Sequence, residues 1–144
     1  MKKEINILMV EDNEGDIVLT VQALKEAKIN NQINVVRDGE AAIQYLHKEG
    51  QYTDAATPDL ILLDINLPKM NGIEVLEELK RDELLKVIPV VMLTTSDSEK
   101  DVFASYQNHA NCYITKPVNF ENFMEVIQKI KDFWIDIVRL PVKH

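Results

Sequence analysis

Short apolar runs alternate along this chain with longer segments whose apolar residues recur every three or four positions. The runs Ile5–Val10, Gln32–Arg37, Asp59–Asp64, Pro89–Thr94 and Asn111–Thr115 read as strands. Three of them are near-continuous stretches of Val, Ile, Leu and Met, the pattern of strands covered on both faces. Between them the period changes to that of an amphipathic helix. Asn13–Ile29 places Ile17, Val21, Leu24 and Ala27 on one face, and Asn13 with Asp16 three positions on forms a start signal. Asp38–Lys48 repeats Ala41, Ala42, Tyr45 and Leu46, and Asn71–Asp82 repeats Ile73, Val75, Leu76 and Leu79. Ser98–His109 opens with Ser98 and Asp101 in capping-box positions. The last segment runs from Asn119 to about Ile137 through Phe120, Phe123, Met124, Ile127, Ile130 and Trp134. Glu49–Pro58 is the longest polar connection and reads as an extended loop.

Strand and helix alternating five times predict an α/β fold with a parallel sheet and helices on both faces. Right-handed crossovers favour a flavodoxin-like, doubly wound (βα)5 arrangement with strand order 2-1-3-4-5. The first and third strands then flank the switch point where ligands of open sheets gather. Those strands run into Glu11-Asp12 and end in Asp64, so three carboxylates are expected at one sheet edge. Such a cluster repels itself unless a cation or proton joins it.

Length and composition narrow the function classes. With 144 residues the chain suits one domain, expected over 1–144 with a core at 5–132 and an extension at 133–144. A surplus of acidic over basic residues, 24 against 16, gives a net charge of −8 and argues against a nucleic-acid surface. No stretch approaches the ~18 apolar residues of a membrane span. Met1-Lys2-Lys3-Glu4 turns straight into a strand without a signal-peptide pattern, so a cytoplasmic location is expected. The single Cys112 lies in an apolar stretch and reads as core packing. Beyond the last helix only Val138–His144 remain, and no separate output domain is expected.

The strand ends supply a coherent set of groups. Glu11 and Asp12 follow the first strand and Asp64 closes the third. Thr94, Thr95 and Ser96 stand at the fourth, and Lys116-Pro117 follows the fifth. Carboxylate oxygens suit Mg²⁺, which keeps several waters and takes few protein ligands. A carboxylate can attack phosphorus to give an aspartyl phosphate. Phosphoryl transfer needs chiefly alignment and charge neutralisation, which a metal, an ammonium and a hydroxyl around one Asp provide. Each residue alone has an ordinary structural use as a cap, turn former or surface charge. Their joint arrival at the carboxyl ends of alternating strands is what points to a site.

With those residues in view, the chain resembles the receiver domains of two-component response regulators across about residues 5–132. The matching pieces are Val10-Glu11-Asp12-Asn13, Leu62-Leu63-Asp64-Ile65-Asn66-Leu67-Pro68, Asn71-Gly72, Pro89-Val90-Val91-Met92-Leu93-Thr94 and Tyr113-Ile114-Thr115-Lys116-Pro117. The resemblance implies Asp64 as phosphoacceptor. It implies Mg²⁺, or alternatively Mn²⁺, held by Asp12, Asp64 and the backbone carbonyl of Asn66, with Glu11 helping through water. It further implies that Thr94 and Lys116 contact phosphoryl oxygens, that Tyr113 turns inward with Thr94, and that the Lys116–Pro117 bond is cis. The surface expected to switch comprises the segment Ser98–His109, the fifth strand and the last helix. A narrower likeness joins Asn13-Glu14-Gly15-Asp16, the loop Glu49–Pro58, Ser105–Tyr113 and Phe133–Pro141 to the small response regulators linked to bacterial phytochromes. It implies a sensor histidine kinase partner of the light-sensing, phytochrome type. His109-Ala110 departs from the Gly-Ala turn frequent in receivers.

Phe133, Trp134, Ile135, Ile137, Val138 and Leu140 are too apolar all round for one buried stripe, so a homodimer through the last helix and tail is expected. Three rival readings compete. A Mg²⁺-dependent phosphatase of the haloacid-dehalogenase type would share the aspartyl intermediate, but such enzymes usually place an Asp where this chain has Asn66, which cannot shuttle a proton. A flavin-binding protein would need a phosphate loop after the first strand, where Glu11-Asp12-Asn13-Glu14 repels phosphate. A phosphorelay intermediate or an inert module would keep the fold without an output of its own.

Overall fold

The computed structural model describes residues 4–27, 31–95, 104 and 112–129. Five strands form one parallel sheet: β1 (Ile5–Val10), β2 (Asn31–Val36), β3 (Leu60–Asp64), β4 (Val90–Thr94) and β5 (Cys112–Thr115). Their order is β2-β1-β3-β4-β5, the flavodoxin-like order expected from the alternation. The helices are α1 (Glu14–Glu26), α2 (Gly39–Leu46), α3 (Gly72–Arg81) and α4 (Phe120–Lys129). Expected strand bounds agree within a residue, and α2 and α3 are slightly shorter than their apolar periodicity. The expected helix Ser98–His109 falls outside the described residues except for helical Ala104, and so does the chain beyond Lys129.

Strand side chains alternate between two apolar layers, as a pleated sheet requires. Ile5, Ile7 and Met9, with Leu60, Leu62, Val91 and Leu93, join Ile17 and Leu24 of α1 and Phe123 and Val126 of α4. Leu8, Val10, Ile61, Leu63, Val90 and Met92 join Ala42, Tyr45 and Leu46 of α2 and Val75, Leu76 and Leu79 of α3. Cys112 is buried in the first layer.

Each helix starts where the sequence offers an acceptor. Asn13 Oδ1 accepts from the Asp16 backbone N–H at 2.9 Å, and Asp38 Oδ1 from that of Ala41 at 2.8 Å. Asn71 and Glu74 form a reciprocal capping box on α3. These bonds satisfy N–H groups that a helix start otherwise leaves unpaired.

The connection after α2 is more ordered than an extended loop. It contains a 3₁₀ turn, Gly50–Tyr52, entered through Gly50 at φ 58°. The Tyr52 ring meets Tyr45 of α2 with centroids 5.3 Å apart, and Ala55 also packs on that layer. Two aromatic rings and an alanine anchor the segment through burial that its polar composition conceals.

Candidate phosphoryl-acceptor site

The site forms where β1, β3, β4 and β5 end. Pairing of β1 with β3 sets Val10 beside Leu63, so the residues that follow, Glu11 and Asp64, come out together. One oxygen from each of Glu11, Asp12 and Asp64 lies within 4.8 Å of the others. Glu11 and Asp64 are buried, whereas Asp12 is exposed. Glu11 Oε2 accepts from the Asn13 backbone N–H at 3.1 Å. This ties the buried carboxylate to the start of α1.

Lys116 follows β5, and its backbone N–H donates to the Thr94 carbonyl at 2.7 Å. Its Nζ stands 2.9 Å from Asp16 Oδ2, 3.0 Å from Glu11 Oε1 and 3.4 Å from Asp64 Oδ1. Burial alone would lower the Lys116 pKa. Hydrogen bonds to Asp16 and Glu11, with the charges of Asp64 and Glu11, outweigh it and hold the ammonium above its ordinary range. The Lys116–Pro117 peptide bond is cis.

Asp64 experiences the opposite balance. Burial and the neighbouring Glu11 charge push its pKa up to about 7 against the pull of Lys116. The Asn66 backbone N–H reaches Asp64 Oδ1 at 3.4 Å, a long contact that offsets little. The site is therefore short of positive charge. Hard oxygen donors in reach of one another suit a divalent cation of the Mg²⁺ or Mn²⁺ kind, which would be held by Glu11, Asp12 and Asp64.

The loop after β3 is fixed by bare backbone. A methyl group on Gly72 would collide with the Asp64 carbonyl, and one on Gly39 with the Met70 carbonyl. Gly72 N–H donates to the Ile65 carbonyl at 2.9 Å, and Gly39 N–H to that of Pro68 at 3.4 Å. Lys69 adopts φ 68° between these anchors. Glycine is needed at both helix starts because main chain approaches main chain there.

Thr94 is fully buried at the end of β4, and half-buried Tyr113 on β5 pairs in register with Met92 and packs against the α2–α3 layer. Asn66 and Thr95 are exposed, and Ser96 lies outside the described residues. The site thus unites Glu11, Asp12, Asp64 and Lys116. It adds Asp16, which the sequence suggests only as part of a helix start. The available signal was its place one helical turn beyond Asp12.

Residues 7–128 match the model of the response regulator receiver domain. The chain belongs to that family. It is 47% identical over 135 residues to the response regulator Rcp1 of Synechocystis sp., covering 94% of this chain and 92% of that one. The crystal structure of Mn²⁺-bound Rcp1 superposes with a TM-score of 0.78 at 46% identity, over 92% of this chain and 95% of that one. The phosphorylated cyanobacterial phytochrome response regulator RcpA superposes with a TM-score of 0.80 at 46% identity, over 94% and 99% of the two chains. Among the described residues no helix is long and apolar enough to cross a membrane.

Proposed function

We propose that this receiver domain takes a phosphoryl group from a sensor histidine kinase onto Asp64 and thereby switches a protein-binding surface. The observation that carries this reading is the convergence of Glu11, Asp12 and Asp64 within 4.8 Å, with Lys116 Nζ 3.4 Å from the Asp64 carboxylate. An Asp64 oxygen attacks phosphorus as the P–N bond to the kinase histidine breaks. The nitrogen keeps the electron pair and takes up a proton. Asp12, Asp64 and the Asn66 carbonyl would hold Mg²⁺ or Mn²⁺, with Glu11 helping through water, and the ion would offset phosphoryl charge. The Mn²⁺-bound form of Rcp1 supports the class of ion.

Lys116 and Thr94 then contact phosphoryl oxygens, and Tyr113 fills the space that Thr94 vacates. Moving a two-state surface from 1:99 to 99:1 takes about 5.5 kcal/mol of differential stabilisation. Charge-assisted hydrogen bonds of about 1.5–3 kcal/mol each suffice. The likeness to RcpA supports a kinase of the phytochrome type. The domain works in the cytoplasm, without nucleic acid, as a homodimer through the last helix and tail, and turns over at most its own phosphoryl group. The phosphatase reading is disfavoured because Asn66 offers no carboxylic acid two residues beyond Asp64.

Mass spectrometry after incubation with acetyl phosphate and Mg²⁺ tests the assignment. The parent gains one phosphoryl mass and Asp64→Asn gains none; an equal gain in both overturns it.

A further inference from the structure

Two groups of charges overlap at the sheet edge. The carboxylate cluster comprises Glu11, Asp12 and Asp64. The Lys116 ammonium pairs with Glu11, Asp16 and Asp64. Glu11 and Asp64 belong to both, Asp12 only to the first and Asp16 only to the second. The ammonium donates hydrogen bonds to Glu11 and Asp16 and meets Asp64 as a longer ion pair. The shortest contact, 2.9 Å, is to Asp16.

The capping hydrogen bond of α1 does not use the Asp16 carboxylate. The cap uses the Asp16 backbone N–H, received by Asn13 Oδ1, and the Thr20 hydroxyl donates to the Asp16 backbone carbonyl. What the side chain does is hold Lys116, whose own side chain is only 6% exposed. Lysine is a point charge on a flexible four-carbon stem, so its position follows the anions around it. Without Asp16, the Lys116 ion pairs that remain among the described residues are those with Glu11 and Asp64, both members of the carboxylate cluster.

Resting on the receiver reading above, we propose that Asp16 is a positioning residue for Lys116. Its carboxylate holds the ammonium through the shortest of the three contacts, so that a divalent cation and Lys116 share Glu11 and Asp64. Removing Asp16 turns Lys116 from neighbour into competitor of the cation. Asp16 thereby acts on the metal through another residue, as partners outside a coordination shell commonly do.

Calorimetric titration of the full chain with Mn²⁺ alone tests this. Asp16→Ala is expected to weaken Mn²⁺ binding by about tenfold, the lower end for partners outside the coordination shell. Asp16→Asn, which keeps an oxygen toward the ammonium, is expected to fall between parent and Asp16→Ala. In a Lys116→Met background the same Asp16→Ala change is expected to weaken binding less than about threefold, because nothing remains to be positioned. Binding by Asp16→Ala within about twofold of the parent overturns the proposal. So does an undiminished loss in the Lys116→Met background, which would make Asp16 a through-space charge only. A parent that binds Mn²⁺ no better than Asp64→Asn would instead overturn the underlying site assignment. Circular dichroism of each variant separates loss of fold from loss of binding.

Discussion

Leu63 and Asp64 are adjacent on one strand and almost equally hidden, at 0% and 2% exposed, yet they stand in opposite energetic positions. The strand bodies hold side chains that gain from leaving water. The strand ends hold Glu11, Asp64 and Thr94, equally buried, of which the two carboxylates lose by it. The difference shows that one sheet serves two purposes. Apolar residues along the strands supply the stability that lets mutually repelling acids be kept at their tips. Receiver chemistry is thus housed where burial works against the Asp64 carboxylate and Lys116 offsets only part of that cost.

The largest expected effect lies in the strand bodies. Leu62→Ala should lower unfolding free energy by about 2–5 kcal/mol in urea denaturation, because it leaves a cavity between β1, β4 and the α1–α4 layer. Phosphoryl uptake by the fraction still folded should remain. A loss below about 1 kcal/mol would mean that the layer collapses onto the gap.

The strand tips should respond in the opposite direction. Asp64 has a folded-state pKa of about 7 against an ordinary value of 3.8. The folded state therefore binds more protons between those limits, and metal-free stability should decline as pH rises through them and level off above. Asp64→Asn mimics the protonated acid. At pH 8 without metal it should raise stability by about 2 kcal/mol, below the ceiling of about 4 set by the whole shift. The gain should vanish near pH 4, as thermal unfolding at both pH values would reveal. A gain independent of pH would show that repulsion by Asp64 is not its source.

The smallest effect is expected at the start of α3, where the Asn71 side chain serves the helix. Asn71→Ala removes the capping box of α3 and should cost about 1 kcal/mol, measured by the same denaturation. Phosphoryl uptake should change little. A large loss of uptake would mean that the α3 start also sets the loop beside Asp64.

The sheet and most of the site were legible because the sequence expresses them locally. Apolar runs such as Leu60–Leu63 and Val90–Leu93 can hardly avoid burial on both faces, and the residue ending each run marks the sheet edge. Asp12 and Asp64 came together through topology, which the alternation of elements specifies. Asp16 was obscured because its local role is complete without its carboxylate. Its ion pair spans 100 residues of sequence, a separation over which periodicity carries no information. The Gly50–Tyr52 turn was hidden for a related reason. Its packing depends on where Tyr45 lies in space rather than on any pattern within the loop.

Gly39 and Gly72 have a practical consequence. Because both present naked main chain to the segment bearing Asn66, that segment rests in a vise with no cushioning atoms. Neither jaw accepts even a methyl group: added at Gly39 or Gly72 it would meet a carbonyl oxygen. On the open side Asn66 and Thr95 face solvent, outside that close approach of main chain to main chain.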